Sequence, residues 1–476
     1  MTVVPPSILA SQDKKTIFKR KYYAHLDAIR SPDCLFKAIK NPNWVCKHGF
    51  LPFVHAVLKT KKRIGKHQTP EWKPRHIYYA SHMDRYVYQW YAHLTAEAYE
   101  KYIADNHFDQ SPIAYRQGLE KNNVHFSTEV FRFIRTKKDC FVYISDFTSF
   151  FDTLSHKLLK EKVRKIFCVS ELPEDHYRIF KSMTRFRYFD LDDIAAIAGQ
   201  TTKELRGKNT KPAQLLTSEQ MRAKKQQYLK SNLNKDPYGV GVGTVGVPQG
   251  SPISAVYANV YMIDFDKNMT DYVDRIGGIY RRYSDDLICV VPPENEAELL
   301  SILETNIQDA RVKISEKKTK FFHVKQGIPF RDTKSESGST ETRTSIEYLG
   351  LSFDGISIKL KPGTLNKYYN KLNRRLHLMK QKSVDFGKVI GRKKVYKKLS
   401  HLGEANRRHQ QMIRGTESPL RERNFFTYAY LASEIAEDPE IRKQLKGHMK
   451  RIGKFYEEIG ESVVNAKTGV RKPSAF

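Results

Sequence analysis

The chain has 476 residues, with 83 Lys and Arg against 52 Asp and Glu, which gives a net charge of +31 and an isoelectric point near 9.7. This excess favours a polyanionic partner through counterion release, and a hydrophobic content of 40% suffices for a core of two or three subdomains. We expect no membrane span and no signal peptide, and the five cysteines include no Cys-x-x-Cys pair, which disfavours a zinc ribbon or a disulfide framework and fits a reducing cytoplasm.

The first 140 residues divide into two parts. Residues 1–70 form a basic extension with helix-like stretches near 14–29 and 49–60. In the part that follows, the segment 86–106 is rich in Tyr, Trp and Ala and has the periodicity of a helix.

A carboxylate ends the next apolar run. The β-rich residues 140–144 lead to Asp146, and a helix is predicted from about His156 to Phe167. A carboxylate at the end of a buried strand can face an active site while the strand anchors it. Asp146 could equally be a strand-end or helix-capping residue, and this segment alone does not decide between the two.

The segment 155–240 is long, helical at first and then polar and basic through 203–209, as in an inserted segment. A Gly/Pro-rich loop at 246–254 then opens an apolar helix at 255–262. Such a loop can approach a ligand closely, although an ordinary turn before a helix has the same pattern.

Two adjacent acids, Asp285 and Asp286, interrupt the strand-forming run 278–291. The pattern predicts a hairpin whose tight turn exposes both carboxylates. Adjacent carboxylates repel each other, and a divalent cation between them relieves the repulsion, as in metal-assisted phosphoryl transfer. A solvated turn would show the same two residues.

In the rest of the chain, Ser, Thr and Gly are frequent at 333–344, which predicts a loop. From about residue 364 onwards the chain is predicted to be helical. Between Lys361 and Gln411 there are fifteen Lys and Arg against Asp385 and Glu404. Such a run is either a solvated helix face or a phosphate-binding surface.

The segments around Asp146, Pro248-Gln249-Gly250 and Tyr283-Ser284-Asp285-Asp286 resemble, in this order, palm motifs A, B and C of reverse transcriptases. Residues 75–85 resemble a segment of the family's fingers, and 111–118 resemble its Ser-x-x-x-aromatic-Arg-x-Gly segment. Residues 315–319 resemble its motif D, with Ser in place of the usual Asn, and 348–353 resemble the Leu-Gly hairpin of its primer grip. The resemblance covers about residues 70–365.

The resemblance implies an α+β right-hand polymerase with fingers, a palm built on an antiparallel sheet and a helical thumb. Residues 1–70 would be an N-terminal extension and 71–140 the fingers. The palm would span 141–363, with a finger insertion at about 155–240 that is mobile or contacts the template. Residues 364–476 would form the helical thumb and the C-terminal region.

The resemblance also implies an RNA-directed DNA polymerase that works by two-metal nucleotidyl transfer. Asp146, Asp285 and Asp286 would be catalytic and, with the backbone carbonyl of Phe147, would hold two Mg²⁺ ions, with Mn²⁺ as an alternative. Five residues would contact the nucleotide: Lys73, Arg75, Gln249 near the sugar, Phe151 as a steric gate against a 2′-hydroxyl, and Lys318 as a proton donor to pyrophosphate. The two fingers cations could instead be surface residues, and the phenylalanine a core residue.

Nucleic acid would be contacted by a set of cations: Arg116, Lys371, Arg374, Arg375, Lys393 and Lys394. The implied partners are an RNA template, the cDNA product and deoxynucleotides, with no membrane, and a homo-oligomer is compatible with the sequence.

Within the family, the chain is most similar to the unknown-group, defence-associated bacterial reverse transcriptases. It lacks the Asn-Ala-x-x-His and Val-Thr-Gly segments common in retron enzymes and the DNA-binding or nuclease region usual in group II intron enzymes. The similarity implies a non-coding RNA partner, a role in antiphage defence and a cytoplasmic location. The alternatives are a retron-type or group II intron-like enzyme, an RNA-dependent RNA polymerase, which usually shows Gly-Asp-Asp, and a catalytically inactive RNA-binding scaffold.

Overall fold

A computed structural model describes residues 17–18, 21, 23–29, 31–62, 71–116, 118–207, 214–239, 241–335, 338–400 and 424–468. By packing, the chain divides into two compact units, Met1–Gly118 with Tyr143–Lys320 and Leu119–Val142 with Phe321–Phe476. Both units combine helices with antiparallel strands, so the predicted α+β class is confirmed. The boundaries of fingers, palm and thumb stay predictions, because the two units are defined by packing alone.

The helices among the described residues are numbered here in chain order. They are α1 Pro32–Ile39, α2 Pro42–Lys47, α3 His82–Asp105, α4 Asn123–Lys137, α5 Phe150–Thr153, α6 His156–Ile166, α7 Glu174–Thr184, α8 Leu191–Ile197, α9 Thr202–Gly207, α10 Ser218–Tyr228, α11 Pro252–Tyr261, α12 Ile263–Arg275, α13 Glu296–Asp309, α14 Pro362–Asp385, α15 Arg392–Leu399, α16 Phe425–Ala436, α17 Glu440–Lys443 and α18 His448–Thr468, with short 3₁₀ helices at Pro293–Asn295 and Glu316–Lys318.

The strands are numbered in the same way. They are β1 Phe53–Lys62, β2 Glu71–Tyr79, β3 Cys140–Asp146, β4 Arg187–Asp190, β5 Lys230–Ser231, β6 Ile279–Tyr283, β7 Asp286–Val291, β8 Lys320–Lys325, β9 Ile328–Ser335, β10 Gly338–Arg343, β11 Ile346–Tyr348, β12 Leu351–Phe353 and β13 Ile358–Leu360.

Four strands of the first unit form a sheet in the order β2-β1-β4-β5. β1 pairs antiparallel with β2 along Val54 to Lys62 and parallel with β4, so the predicted helix at 49–60 is wrong. Val54 packs in an apolar cluster, whereas the next residue, His55, stacks on Tyr78. Successive side chains thus point to opposite faces, as they do in a strand. The pairing with β2 and β4 also favours a strand, and the local sequence does not reveal these two partners.

The predicted helices around 86–106 and 156–167 are confirmed as α3 and α6. α3 begins earlier than predicted, after Ser81, whose hydroxyl accepts a hydrogen bond from the N–H of Asp84 at 3.1 Å and so caps the helix. The helix-like stretch at 14–29 lies partly outside the described residues, and the chain is irregular at 23–29. The basic stretch 203–209 contains part of α9, and residues 208–213 lie outside the described residues.

The predicted acidic hairpin is confirmed as β6 and β7, and β3 lies beside β7. The hairpin closes with Tyr283 opposite Asp286, and Ser284 has a φ of +61° in the two-residue turn, which suits the twist of the strands. Asp286 is therefore the first residue of β7, and only Asp285 lies within the turn.

A buried ion pair lies behind this turn. Arg282 and Asp266 are both fully buried, and the guanidinium donates two hydrogen bonds to the carboxylate, at 2.8 and 2.6 Å. Another guanidinium nitrogen donates to the carbonyl of Ser284 at 2.9 Å. Burial opposes the charged form of Arg282, but the Asp266 carboxylate outweighs this effect and raises the pKa of the guanidinium above its ordinary value.

The second unit contains the consecutive strands β8, β9 and β10 and a small sheet of β11, β12 and β13. β9 pairs antiparallel with β10 up to Ser335 opposite Gly338, so the predicted loop at 333–344 is wrong. Thr residues favour extended backbone, and composition alone does not reveal the partner strand. The Leu-Gly hairpin is confirmed as β11 and β12, with Tyr348 opposite Leu351. The helices α14 to α18 confirm the predicted helical C-terminal part within the described residues, whereas 401–423 and 469–476 lie outside them.

Replacing Arg282 with Met should destabilise the first unit strongly, because Asp266 would stay buried without a cation. We expect a loss of about 3–5 kcal/mol in the free energy of unfolding, read as a lower midpoint of thermal unfolding by calorimetry. The control is Arg275→Met, since Arg275 is exposed and pairs with Glu298 at 3.5 Å, and its loss should cost less than about 1 kcal/mol. Equal midpoints for the two variants would contradict a stabilising role of the buried pair.

Candidate active site

Asp146 lies at the end of β3, whose first residues are buried in the core. Its side chain is 9% exposed. One carboxylate oxygen, Oδ2, contacts the ammonium of Lys318, while the other, Oδ1, is buried and has no hydrogen-bond partner among the described residues. A buried carboxylate oxygen without a donor is costly and is an oxygen that a cation could satisfy.

A backbone hydrogen bond joins Asp146 to the acidic turn. The N–H of Phe147 donates to the carbonyl of Asp285 at 2.9 Å, so that the end of β3 and the β6–β7 turn are held side by side. Asp285 is half-buried and Asp286 is exposed. Burial raises the pKa of the neighbouring Tyr283, and Asp286 raises it further. The structure therefore brings the motif A and motif C residues together, as the sequence predicted.

The motif D segment also docks on motif A. The N–H of Ser315 donates to the carbonyl of Asp146 at 2.9 Å, and the hydroxyls of Ser145 and Thr319 are 2.8 Å apart. This brings the 3₁₀ helix that carries Lys318 to the carboxylate. The Lys318 side chain is 54% exposed, so it can reach both Asp146 and a ligand from solvent.

The motif B loop is fixed against β2. The N–H of Tyr78 donates to the carbonyl of Gln249 at 2.8 Å. Gly250 has a φ of +126°, and a Cβ at this position would lie 2.5 Å from the carbonyl oxygen of Tyr78, so only glycine allows this approach. The side chain of Gln249 is half-buried and lies beside a strand that carries predicted nucleotide contacts.

Lys73 and Arg75 are both exposed on β2. Because side chains alternate along a strand, these two share a face with Ile77. The Ile77 side chain is the neighbour that a Cβ at Gly250 would meet at 3.1 Å. The two cations therefore lie on the strand face that borders the motif B loop.

The two adjacent phenylalanines after motif A have different environments. Phe150 is buried and stacks on Phe147 with ring centroids 5.4 Å apart, whereas Phe151 is half-exposed. The carbonyl of Phe151 accepts a hydrogen bond from the N–H of Val247 at 2.8 Å. Phe150 is thus a core residue, and the backbone of Phe151 contacts the segment that leads into the motif B loop.

The structure does not favour the predicted nucleic-acid contact of Arg116. Its side chain is 5% exposed and pairs with Glu100, with two contacts at 2.6 and 2.9 Å. It also donates to the carbonyls of Asp109 and, at 3.0 Å, Pro112. Because the carboxylate neutralises the guanidinium and carbonyls take further donors, Arg116 orders its own loop instead of presenting charge to a phosphate.

The predicted cations of the second unit lie on α14 and α15. Leu372 and Leu376 bury one face of α14, whereas the four cations Lys371, Arg374, Lys393 and Lys394 are exposed. Arg375 is half-buried, and its Nε is buried without a hydrogen-bond partner in the described part of the chain. Its charge is therefore less accessible to a phosphate than the other four.

The donor set near Asp146 suits a hard divalent cation, which prefers carboxylate and carbonyl oxygens. The orphaned Oδ1 of Asp146, the nearby Asp285 and the backbone of Phe147 fit that chemistry. No group of three or more His, Cys, Asp or Glu side chains is arranged to hold a metal in the ranges that the structure describes, so the two-ion site stays a prediction.

Sequence reasoning missed the buried ion pair of Arg282 and Asp266, which orders the acidic turn. A partial signal was present, since an arginine within a strand-forming run needs a partner wherever that strand is buried. The partner itself, sixteen residues earlier on α12, could not be chosen among the many acids of the chain.

Residues 209–353 match the model of the family Reverse transcriptase (RNA-dependent DNA polymerase). The chain therefore carries a reverse transcriptase domain. The match includes motifs B, C and D, and it confirms for this domain the predicted enzyme class, RNA-directed DNA polymerase, a nucleotidyltransferase. With the α+β architecture it also confirms the right-hand polymerase fold class. No curated protein sequence matches the chain.

Similar solved structures include telomerases from two yeasts. The apo telomerase of Candida tropicalis, truncated from its C-terminal domain, has 13% identity and a TM-score of 0.39 over 67% of this chain and 59% of that chain. The telomerase of Candida albicans in complex with a fragment of telomeric RNA has 12% identity and a TM-score of 0.39 over 89% of this chain and 64% of that chain. The chain thus spans less than two thirds of either telomerase chain.

No helix in the described ranges combines the length and the apolar character that crossing a bilayer requires. The five cysteines, Cys34, Cys46, Cys140, Cys168 and Cys289, are all free thiols.

Proposed function

We propose that the protein is an RNA-directed DNA polymerase that copies an RNA template into cDNA from deoxynucleotides. The observation that carries this proposal is the hydrogen bond from the N–H of Phe147 to the carbonyl of Asp285. It joins the backbone next to Asp146 to the backbone of Asp285, which supports a shared site for the carboxylates of motifs A and C, as nucleotidyl transfer requires.

Asp146, Asp285 and Asp286, with the carbonyl of Phe147, would hold two Mg²⁺ ions, or Mn²⁺. When bound, such ions supply Lewis-acid activation of the primer 3′-hydroxyl and neutralise the charge of the leaving pyrophosphate. In this proposal the buried Oδ1 of Asp146 is one of the metal-binding oxygens.

The chain's own side chains supply binding and proton transfer. Lys73 and Arg75 would hold the triphosphate from the exposed face of β2, and Gln249 would contact the sugar. Lys318 contacts Asp146, and its exposed ammonium would donate a proton to pyrophosphate as it leaves.

The test of the proposed activity is substitution of single carboxylates. Asp146→Asn and Asp285→Asn keep the side-chain size and remove one charge each, so primer extension should fall by about 10³-fold or more, while the midpoint of thermal unfolding changes little. The control is Asp271→Asn, since Asp271 is exposed on α12 and pairs with Lys267 at 2.8 Å.

Extension on a primed RNA template is measured for all three folded variants. Activity of the two site variants equal to that of the control would contradict the assignment. A wild-type protein that binds RNA but extends no primer would instead favour the inactive RNA-binding scaffold.

Phe151 is proposed as the residue that excludes ribonucleotides. Its half-exposed ring and its backbone bond to Val247 place it beside the motif B loop, where the nucleotide sugar would lie. A bulky ring there collides with a 2′-hydroxyl and so favours deoxynucleotides.

Replacing Phe151 with Ala should raise the incorporation of ribonucleotides relative to deoxynucleotides. We expect the ratio of the two kcat/KM values to shift by about 10-fold or more, because a steric contact against the hydroxyl is lost. Phe150→Leu is the control: it alters the neighbouring buried ring and should leave the ratio unchanged. An unchanged ratio in an active Phe151→Ala enzyme would make Phe151 a packing residue.

The exposed cations on α14 and α15 are proposed to hold the phosphates of the template–primer duplex. Replacing Lys371, Arg374, Lys393 and Lys394 with Gln should weaken duplex binding and lower the slope of log affinity against log salt by about 0.7–0.9 per lost contact. An identical slope in wild type and variant would show that these residues form only a solvated helix face.

The proposed partner RNA is a dedicated non-coding RNA, and the proposed role is antiphage defence. The proposed location is a reducing cytoplasm, with which the five free thiols are compatible. Sequencing the nucleic acid that co-purifies with the protein tests the RNA. One enriched RNA with a matching cDNA supports the proposal, whereas retron or intron RNA would favour a retron-type or group II intron-like enzyme.

A further inference from the structure

The first unit also contains an open groove, with a volume of about 700 Å³, that is lined by Lys and Arg side chains. It is bordered by residues 50–53, by α7, by the beginning of β4 and by α10. None of the candidate catalytic or nucleotide-binding residues lines it. The groove is therefore a separate site whose ligand follows from its own residues.

The rim of this groove is strongly cationic. Six cations line it, and no Asp or Glu does: Arg178, Lys181, Arg185, Arg187, Arg222 and Lys225. All except Arg178 are exposed, and none of these five forms an ion pair with a carboxylate within the described ranges. Unpaired cations gathered without acids repel one another, and an anionic ligand would relieve that repulsion.

The two helices present their cations in rows. On α7 and at its end, Arg178, Lys181 and Arg185 are three and four residues apart, which places them along one helix face. Arg222 and Lys225 repeat the spacing on α10. The cations of each helix are thus spaced along one helix face, and such a linear spacing suits the phosphates of an extended chain.

The floor of the groove is apolar and partly aromatic. Phe50 is half-buried and stacks on Tyr88, with ring centroids 5.4 Å apart and an interplanar angle of 14°. The guanidinium of Arg178 lies 6.0 Å from the Phe50 ring centre, and its buried Nε has no hydrogen-bond partner in the described part of the chain. Met221 of α10 adds a half-buried thioether. A floor for flat rings under a rim for phosphates is the combination that binds single-stranded nucleic acid.

The helix α10 packs against the apolar core only through two partly buried side chains, Met221 and Tyr228. None of its residues is fully buried, although it borders the groove with Ser218, Met221, Arg222 and Lys225. A helix that is polar on nearly all sides gains little from the core, so a ligand that covers its groove-facing side would add the contacts it lacks.

We propose that this groove binds a single-stranded segment of RNA and anchors it apart from the place where the template meets Asp146. The inference rests on the proposed function, which supplies the RNA. A free nucleotide fits less well, because compact phosphate sites use backbone N–H groups of glycine-rich loops and no glycine lines the groove. An acidic peptide offers charge but no flat bases for the floor.

The test compares two triple variants of the full chain. The groove variant changes Arg185, Arg222 and Lys225 to Gln, and the control changes Lys101, Lys157 and Lys224, which are exposed cations of the same unit outside the groove. Both lose three positive charges, and Lys224 lies on the same helix as two of the groove residues. Any effect of net charge alone is therefore equal in the two proteins.

The measurement is the affinity for a labelled single-stranded RNA of mixed sequence at several salt concentrations. In the groove variant the slope of log affinity against log salt should fall by about two units, since about 0.7 is lost per phosphate contact on a single strand, and the affinity should fall at least 10-fold. The control should keep the wild-type slope. Equal slopes in the two variants would overturn the proposal.

Competition experiments with two further ligands distinguish an RNA site from a nucleotide site and from a site for an acidic protein. Uridine triphosphate that displaces the RNA at micromolar concentration would overturn the RNA assignment in favour of a nucleotide site. A poly-glutamate peptide that competes as well as an RNA of equal charge would overturn it in favour of an acidic protein partner. Competition by unlabelled RNA alone supports the proposal.

The failure of this inference and the failure of the proposed function are distinguishable. Extension of a preformed primer–template duplex by the groove variant should stay within about 3-fold of wild type, because the carboxylates are unchanged. A wild-type protein without polymerase activity whose groove variant loses RNA affinity would refute only the polymerase. If the groove variant does not fold, hydrogen exchange of the wild type decides instead: RNA should protect 178–187 and 218–229, and no protection there would overturn the proposal.

Discussion

The ion pair of Arg282 with Asp266 is the interaction on which the candidate active site depends. Both side chains are fully buried, so each charge is tolerable only because the other is present. One guanidinium ties α12 to β6 through the carboxylate and holds the carbonyl of Ser284 in the acidic turn. It also lies 3.3 Å from Oδ1 of Asn259 on α11. The helix after motif B and the turn of motif C are thus oriented by one side chain.

Around that ion pair the site is assembled mainly by backbone hydrogen bonds. The N–H of Tyr78 holds the motif B loop through the carbonyl of Gln249. The N–H groups of Phe147, Ser315 and Val247 donate to the carbonyls of Asp285, Asp146 and Phe151, so the motif A segment is joined to motifs C, D and B through backbone atoms. This explains why Ser315, which replaces the usual asparagine of motif D, still holds Lys318 near the carboxylate. It also explains the dependence on Gly250, since a side chain there would push the loop away from Tyr78.

The sequence predicts those parts of the molecule in which local chemistry and local structure agree. The acidic hairpin, α3, α6 and the helical C-terminal part carry periodicity or turn residues that act within a few positions. The prediction was wrong at 49–60 and 333–344, where strands form because of partners distant in sequence or because Thr tolerates extended backbone. Tertiary pairing overrides composition in such segments.

The same distinction holds for individual side chains. Asp146 and Asp285 could be predicted to lie together because a family pattern places both, whereas the family segment around Arg116 does not show whether the charge of that residue is free for nucleic acid. Its ion pair with Glu100, sixteen residues away on α3, is a tertiary contact that no local pattern reveals. A charged residue in a basic chain therefore says little by itself about function, because burial and partners decide whether its charge reaches the solvent.

A net charge of +31 makes binding to any polyanion favourable, so charge cannot be the source of selectivity in this protein. Selectivity requires places where cations stay unpaired beside surfaces of defined shape. The groove between α7 and α10 meets this condition, with five unpaired cations in a lining that also includes the half-buried Phe50, and the motif B loop meets it with Arg75 exposed on the strand beside Gly250. Some other cations are held by acids, as Lys267 is by Asp271, and such pairs lower the attraction for phosphates. In the proposed function, the division between paired and unpaired cations, more than their number, would determine where the RNA is held.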